Sequence, residues 1–169
     1  MKQLIILGTF LLVGCSQRGD LFCDTGSFRI HSPGGDTTIN EVSNLEELLS
    51  RSAAVIHGRV ESAQVICRPN PTWVETINTL QILEVFQGDL TVGGLVTIYQ
   101  AGGRTFNVNI GNALLVNLPV GKEVVLFLSY DGANRLTLSN PSVVYLVEEN
   151  QLVELSNRTD FLLDFSDLR

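Results

Sequence analysis

The sequence predicts a mainly β fold: a small antiparallel barrel, closed or partly open, with one or two short helices. Three observations predict it. Apolar residues alternate at period 2 through two long runs, 53–67 and 72–86, the pattern of strands with one buried face. Turn-forming residues punctuate the rest of the chain, at Gly88-Asp89, Gly102-Gly103, Asp131-Gly132-Ala133-Asn134 and Glu148-Glu149-Asn150. The 169 residues are 44% hydrophobic but only 7% aromatic, the apolar content being largely Val, Leu and Ile, which suit a pleated sheet. With 17% charged residues the chain is too apolar for a disordered tail, and its length is that of about one domain.

Ser43-Asn44-Leu45-Glu46 reads as a capping box, Ser43 accepting from the amide of residue 46 while Glu46 reaches back. Leu45, Leu48 and Leu49 then share one helical face, so a short helix is expected over about 44–51, covering one end of the sheet. In the run 53–67, Ala54, Ile56, Gly58 and Val60 form one face, and Val55, His57, Arg59 and Glu61 a mixed outer one. Two prolines keep Arg68-Pro69-Asn70-Pro71 out of any ladder. The second long run alternates through Asn78, Leu80 and Ile82 and slips before Val85 and Phe86. That slip predicts a bulge near Leu83-Glu84, the device that bends a strand around a small barrel. Further strands are expected at 96–100, 123–130, 136–138, 143–147 and 151–155, and another strand or ordered edge at 104–110. Phe161, Leu162, Phe165 and Leu168 fall at helical spacing and predict a short docking helix at the end of the chain.

The first segment reads as an address. Lys2 precedes an apolar run from Leu4 to Val13, followed by Gly14 and Cys15. Such a run is shorter than the ~20 residues needed to cross a bilayer and matches the apolar region of a secretory signal peptide. Leu12-Val13-Gly14-Cys15 resembles the lipobox of bacterial lipoproteins. The resemblance implies that residues 1–14 are removed and that the Cys15 sulfur receives a diacylglyceryl group, with the new amine often acylated (palmitate in many such proteins). Membrane lipid is then the first partner. Each buried methylene contributes ~0.8 kcal/mol, and two or more chains are needed for a lasting anchor. Ser16 leaves the choice of membrane open; in a Gram-negative host the outer membrane is expected.

Residues 15–40 read as the lipidated Cys and a linker, broken by Ser32-Pro33-Gly34-Gly35, and residues 41–169 as the barrel domain. Cys23 and Cys67 remain, an even remainder in an exported chain. A bridge between them closes a loop of about 45 residues and stabilises by ~4 kcal/mol in the chain-entropy model. Two free thiols are the alternative, favoured in a Gram-positive host.

Ala53-Ala54-Val55-Ile56-His57-Gly58-Arg59-Val60 is similar to the opening strand of the netrin-like domain, the oligomer-binding (OB) type barrel of the tissue inhibitors of metalloproteinases. Leu80, Ile82, Val85, Phe86, Gln87 and Gly88 are similar to its second strand, and the segment from Gly121-Lys122-Glu123 through Leu128 to a later one. Ser139-Asn140-Pro141-Ser142-Val143-Val144 stands where that family has its closing strand, so the resemblance spans roughly 45–147. Gln87 replaces the family's usual Lys, and the dense cysteine pattern of the animal inhibitors is absent apart from Cys23 and Cys67. In those inhibitors an N-terminal Cys chelates the protease zinc through its amine and carbonyl. Here only Cys15 could take that place, and an acylated amine has no lone pair to donate. The resemblance implies the fold rather than that activity.

The formal net charge is −7, and no Lys/Arg run offsets it, which excludes nucleic acid as a partner. Enzyme chemistry finds little to work with. The two histidines are His31, in the linker, and His57, on a strand; no nucleophile elbow, His-x-x-x-His pair or Ser-x-x-Lys is present. His57 with Cys23 and Cys67 lacks ligand spacing, so His57 is expected as a strand-face residue bonded to its neighbours, and neither metal nor cofactor is expected. Glu46-Glu47 and Glu148-Glu149 are adjacent pairs whose side chains diverge, and Asp160, Asp164 and Asp167 form a solvated stripe. Trp73 and Tyr99 are expected to fill core rather than form a binding face. The expectation is a non-enzymatic, membrane-anchored binding module outside the cell membrane, whose acidity favours a basic envelope or extracellular protein. The alternatives are an inhibitor or accessory of extracellular proteases, acting through barrel loops such as Gly102-Gly103, and a small hydrolase with an unrecognised site, for which His57 is the best candidate residue.

Overall fold

The computed structural model describes Val42 and residues 44–67, 74–104, 109–110, 115–140, 143–155 and 163–169. The leader, Cys15, the linker with Cys23, Ser43, the proline loop 68–71, Trp73, Asp160 and Phe161-Leu162 lie outside the described residues.

The chain enters through helix α1, Leu45–Arg51, capped by Asn44, whose side-chain oxygen accepts from the Glu47 amide at 2.9 Å. The cap thus falls one residue later than the expected Ser43. Asn is as strong a cap as Ser, and Asn44 leaves Glu46 and Glu47 in the first turn and Arg51 in the last, matching the helix dipole. Among the described residues nine strands come after it: β1 (Ala54–Cys67), β2 (Val74–Gln87), β3 (Leu95–Ala101), β4 (Gly103–Arg104), β5 (Asn109–Ile110), β6 (Glu123–Tyr130), β7 (Leu136–Leu138), β8 (Val144–Glu148) and β9 (Gln151–Glu154). A single turn of 3₁₀ helix, Phe165–Leu168, ends the chain where the docking helix was expected.

Seven strands form one antiparallel sheet in the order β3-β2-β1-β6-β8-β9, with β7 also paired to β6. Among the described residues no ladder joins its ends, so the small barrel is partly open. The strand or ordered edge expected over 104–110 is instead two short arms paired to each other, Gly103 with Ile110 and Arg104 with Asn109. Apolar alternation cannot distinguish one extended strand from two such arms.

The expected bulge is present. His57 pairs with Glu84 and Gly58 with Ile82, leaving Leu83 unpaired, and similar shifts occur beside Phe86 and Glu61. These irregularities curl two 14-residue strands around the core. At the end of β2, Gly88 turns with φ +97, and a Cβ there would stand 2.7 Å from the Ala53 carbonyl, so the position requires glycine.

The sheet buries apolar side chains on both faces. Inside lie Ile56, Val60, Leu80, Ile82, Ile98, Leu126 and their neighbours. Outside, Val55, Val125, Phe127 and Tyr145 are covered by Leu48 of α1 and by Leu163 and Leu168 near the C-terminus. The central strand β6 is therefore buried on both sides from Val124 to Leu128, which explains its continuous apolar run. Helix α1 accordingly covers the outer face of the sheet rather than only its end.

Candidate functional site

The open side of the barrel runs between β3 and β7. Their Cα atoms approach within 8 Å, yet no ladder joins them. Side chains close this seam instead. The Glu75 carboxylate, 2% exposed, accepts from Arg135 Nη1 at 2.7 Å. The same guanidinium donates from Nε to Asp131 Oδ2 at 2.9 Å and lies 4.6 Å from the centroid of the Tyr99 ring. One arginine from the β6–β7 hairpin thus clasps β2 and β3.

Local sequence positions the clasp. Asp131 Oδ1 accepts from the amides of Ala133 and Arg135 at 2.9 Å each, and Asn134 takes the left-handed φ of 58° that Asn tolerates. This turn aims Arg135 back at β2. The Arg135 amide and then its guanidinium hold the Asp131 carboxyl below the usual carboxylate range, and the Asp131 carboxylate raises the guanidinium in turn. Tyr99, expected in the core, lies half-buried on the outer face beneath this arginine.

A second polar cluster lies on the outer face beside the C-terminus. His57 Nε2 stands 3.0 Å from Glu123 Oε2, and Arg59 donates to Glu123 Oε1 at 2.8 Å. The Arg59 hydrogen bond, with His57 adding to it, lowers the Glu123 carboxyl against the opposing effect of partial burial. The Phe165 ring meets the His57 ring edge-on at 5.7 Å, and Arg169 reaches Glu84 at 3.3 Å. His57 is thus a strand-face residue bonded to its neighbours, as expected, and it pins the last turn of the chain.

Inside the barrel the end away from the β2–β3 hairpin is polar. Thr76 donates to the Gly102 carbonyl at 2.7 Å, and Gln100 Oε1 accepts from the Val116 amide at 3.0 Å. Gly103 packs closely here, since a Cβ would meet Val65, Thr76 and Val74. Gly102 and Gly103 are both buried.

Of the residues singled out in the sequence, Cys15 and Cys23 lie outside the described residues, and Cys67 ends β1 opposite Val74. Glu46 and Glu148 are exposed, Glu47 pairs with Arg51, and Glu149 serves the tight turn between β8 and β9 with φ 50°. Asp164 and Asp167, expected as a solvated stripe, form a reciprocal capping box around the 3₁₀ turn. Among the described residues no three His, Cys, Asp or Glu side chains gather to hold a metal ion, and no helix is long and apolar enough to cross a membrane. Sequence reasoning missed the clasp. Its one local signal is Glu75, a carboxylate in phase with Ile77 and Thr79 on β2; its partner is 60 residues away.

No family model matches the chain, and a search of curated proteins finds no match.

Proposed function

We propose that the protein is a non-catalytic binding module, tethered outside a bacterial cell membrane through Cys15. The observation that carries this reading is the short apolar leader ending in Leu12-Val13-Gly14-Cys15, followed by a polar linker and then a β domain. A flexible linker of about 25 residues spans ~25–30 Å, which keeps the domain close to its membrane. A bridge from Cys23 to Cys67 would shorten that reach; free-thiol titration of the unreduced protein that finds two reactive groups excludes it. The OB-type, netrin-like reading of the barrel belongs to the same proposal and rests on the apolar spacing of its long bulged strands.

A basic partner suits the surface. Arg51, Arg59, Arg135 and Arg169 each engage a carboxylate. Glu61, Asp89, Glu148 and Glu149 are exposed, and the −7 charge of the chain is left to act on its surroundings. Mass spectrometry of the native N-terminus tests the anchor: a diacylglyceryl-modified Cys15 is expected, and an intact leader or a cut elsewhere refutes it. Capture of envelope proteins at low and high salt tests the charge, since binding indifferent to salt contradicts a basic partner.

A further inference from the structure

Three polar residues stand on the inner face of the barrel, Thr76 and Asn78 on β2 and Gln100 on β3, in phase with Leu80 and Ile98 of the interior core. Asn78 is 1% exposed and Gln100 4%. The Thr76 hydroxyl is spent on the Gly102 carbonyl. Gln100 Oε1 accepts from the Val116 amide, which fixes the orientation of that side chain, because the opposite one would set its NH2 against the Val116 N–H. Asn78 Nδ2 and Gln100 Nε2 are left buried with no hydrogen-bond partner.

A buried donor is costly unless an acceptor meets it, and here two donors lie side by side. Asn78 faces Ile98 in the ladder, so Gln100 is its diagonal neighbour, about 7–8 Å away along the sheet and within reach for long side chains. Both amides can therefore turn to one oxygen atom. Solvent comes close to them on the β1 side. The ladder between β1 and β6 ends at Arg59–Glu123, and Ala63, which pairs with Asn78 on the same inner face, is exposed. Val65, the next inward residue of β1, is half-buried and apolar.

We propose that Asn78 and Gln100 form a binding site for the carbonyl oxygen of an uncharged small molecule, an amide or lactam, which enters beside Ala63 and accepts from both side-chain NH2 groups. The donor set selects an acceptor, and the charges around it select a neutral one. Arg135, the cation bound to β2, is given to Glu75 and Asp131, and the Glu75 carboxylate lies next to Thr76 in the chain, so a buried anion here would be unpaired and costly. The site is separate from the anchor and from the basic partner, each of which has its own test, so its failure leaves them standing.

The test uses the full-length protein in detergent micelles and three small probes: pyrrolidinone, pyrrolidinethione, in which sulfur replaces the carbonyl oxygen, and propionate. The side-chain NH2 resonances of Asn78 and Gln100 are followed by NMR. Pyrrolidinone is expected to shift both together in a saturable titration, with the millimolar Kd that suits so small a ligand. The thione is expected to bind at least about tenfold more weakly, since a site built to hydrogen-bond rejects an analogue that cannot reciprocate, and propionate leaves both resonances in place. Asn78→Leu keeps the bulk and removes the donor, so it is expected to hold the urea midpoint while weakening pyrrolidinone by about tenfold or more. If that variant fails to fold, the three probes on the unaltered protein still decide the point. Two NH2 groups that stay unmoved by pyrrolidinone and show cross-peaks to water overturn the proposal, as does undiminished binding by Asn78→Leu. Equal binding of pyrrolidinone and its thione also overturns it, by showing an apolar pocket alone, and tighter binding of propionate does so by showing an anion site.

Discussion

Replacing Arg135 by Met removes the cation that a buried carboxylate depends on. Glu75 is 2% exposed and its bond to Arg135 is 2.7 Å long, so the substitution leaves a desolvated charge without its guanidinium. Breaking a buried pair from one side costs about 3–5 kcal/mol. The guanidinium itself is 29% exposed, so water enters part of the space it vacates, and the lower end of that range applies. Loss of the contact over Tyr99 adds ~0.5–1 kcal/mol. The expected destabilisation is therefore ~3–4 kcal/mol. With a slope of about 1.5 kcal/mol/M, the urea midpoint falls by roughly 2 M. The double variant Glu75→Leu/Arg135→Met removes both charges and is expected within ~1 kcal/mol of the wild type, because apolar replacements of buried pairs are commonly neutral or better. A single variant that loses less than ~1 kcal/mol, or a double variant as unstable as the single, refutes the view that the clasp holds the seam.

Leu48→Ala opens a cavity between α1 and the outer face of the sheet, where Leu48 is fully buried; a loss of ~2–5 kcal/mol in urea unfolding is expected. Gly88→Ala forces a side chain to within 2.7 Å of the Ala53 carbonyl at a φ of +97, and a fall in melting temperature larger than that from Gly132→Ala, where a Cβ meets nothing, is the measurable consequence. Glu123 is depressed by Arg59 and His57, so its contribution is present above the ordinary carboxylate range and is lost as pH falls through the lower folded value. Between about pH 5 and pH 3 the wild type should therefore lose more stability than Glu123→Gln; parallel profiles would disprove the linkage.

Much of the fold is written locally. Alternation on β1 assigns Ala54, Ile56 and Val60 to the interior, because side chains on a strand must alternate between faces. The slip in β2 shows as the unpaired Leu83, and the Asp131–Asn134 turn and the glycine at position 88 are set by backbone conformations open to few residues. The site was not legible in this way. Glu75 and Arg135, or His57 and Glu123, become neighbours only when strands far apart in sequence are brought together.

Residue order alone was enough to specify the β class, the capped helix, the main long strands and the acidic surplus, since each depends on composition or on residues within one turn or one strand of each other. It took the assembled fold to establish that both faces of the sheet are buried, that Gly103-Arg104 pairs with Asn109-Ile110, and that a guanidinium rather than a ladder spans the open side of the barrel. Those outcomes depend on which distant segments meet, and periodicity carries no information about that choice.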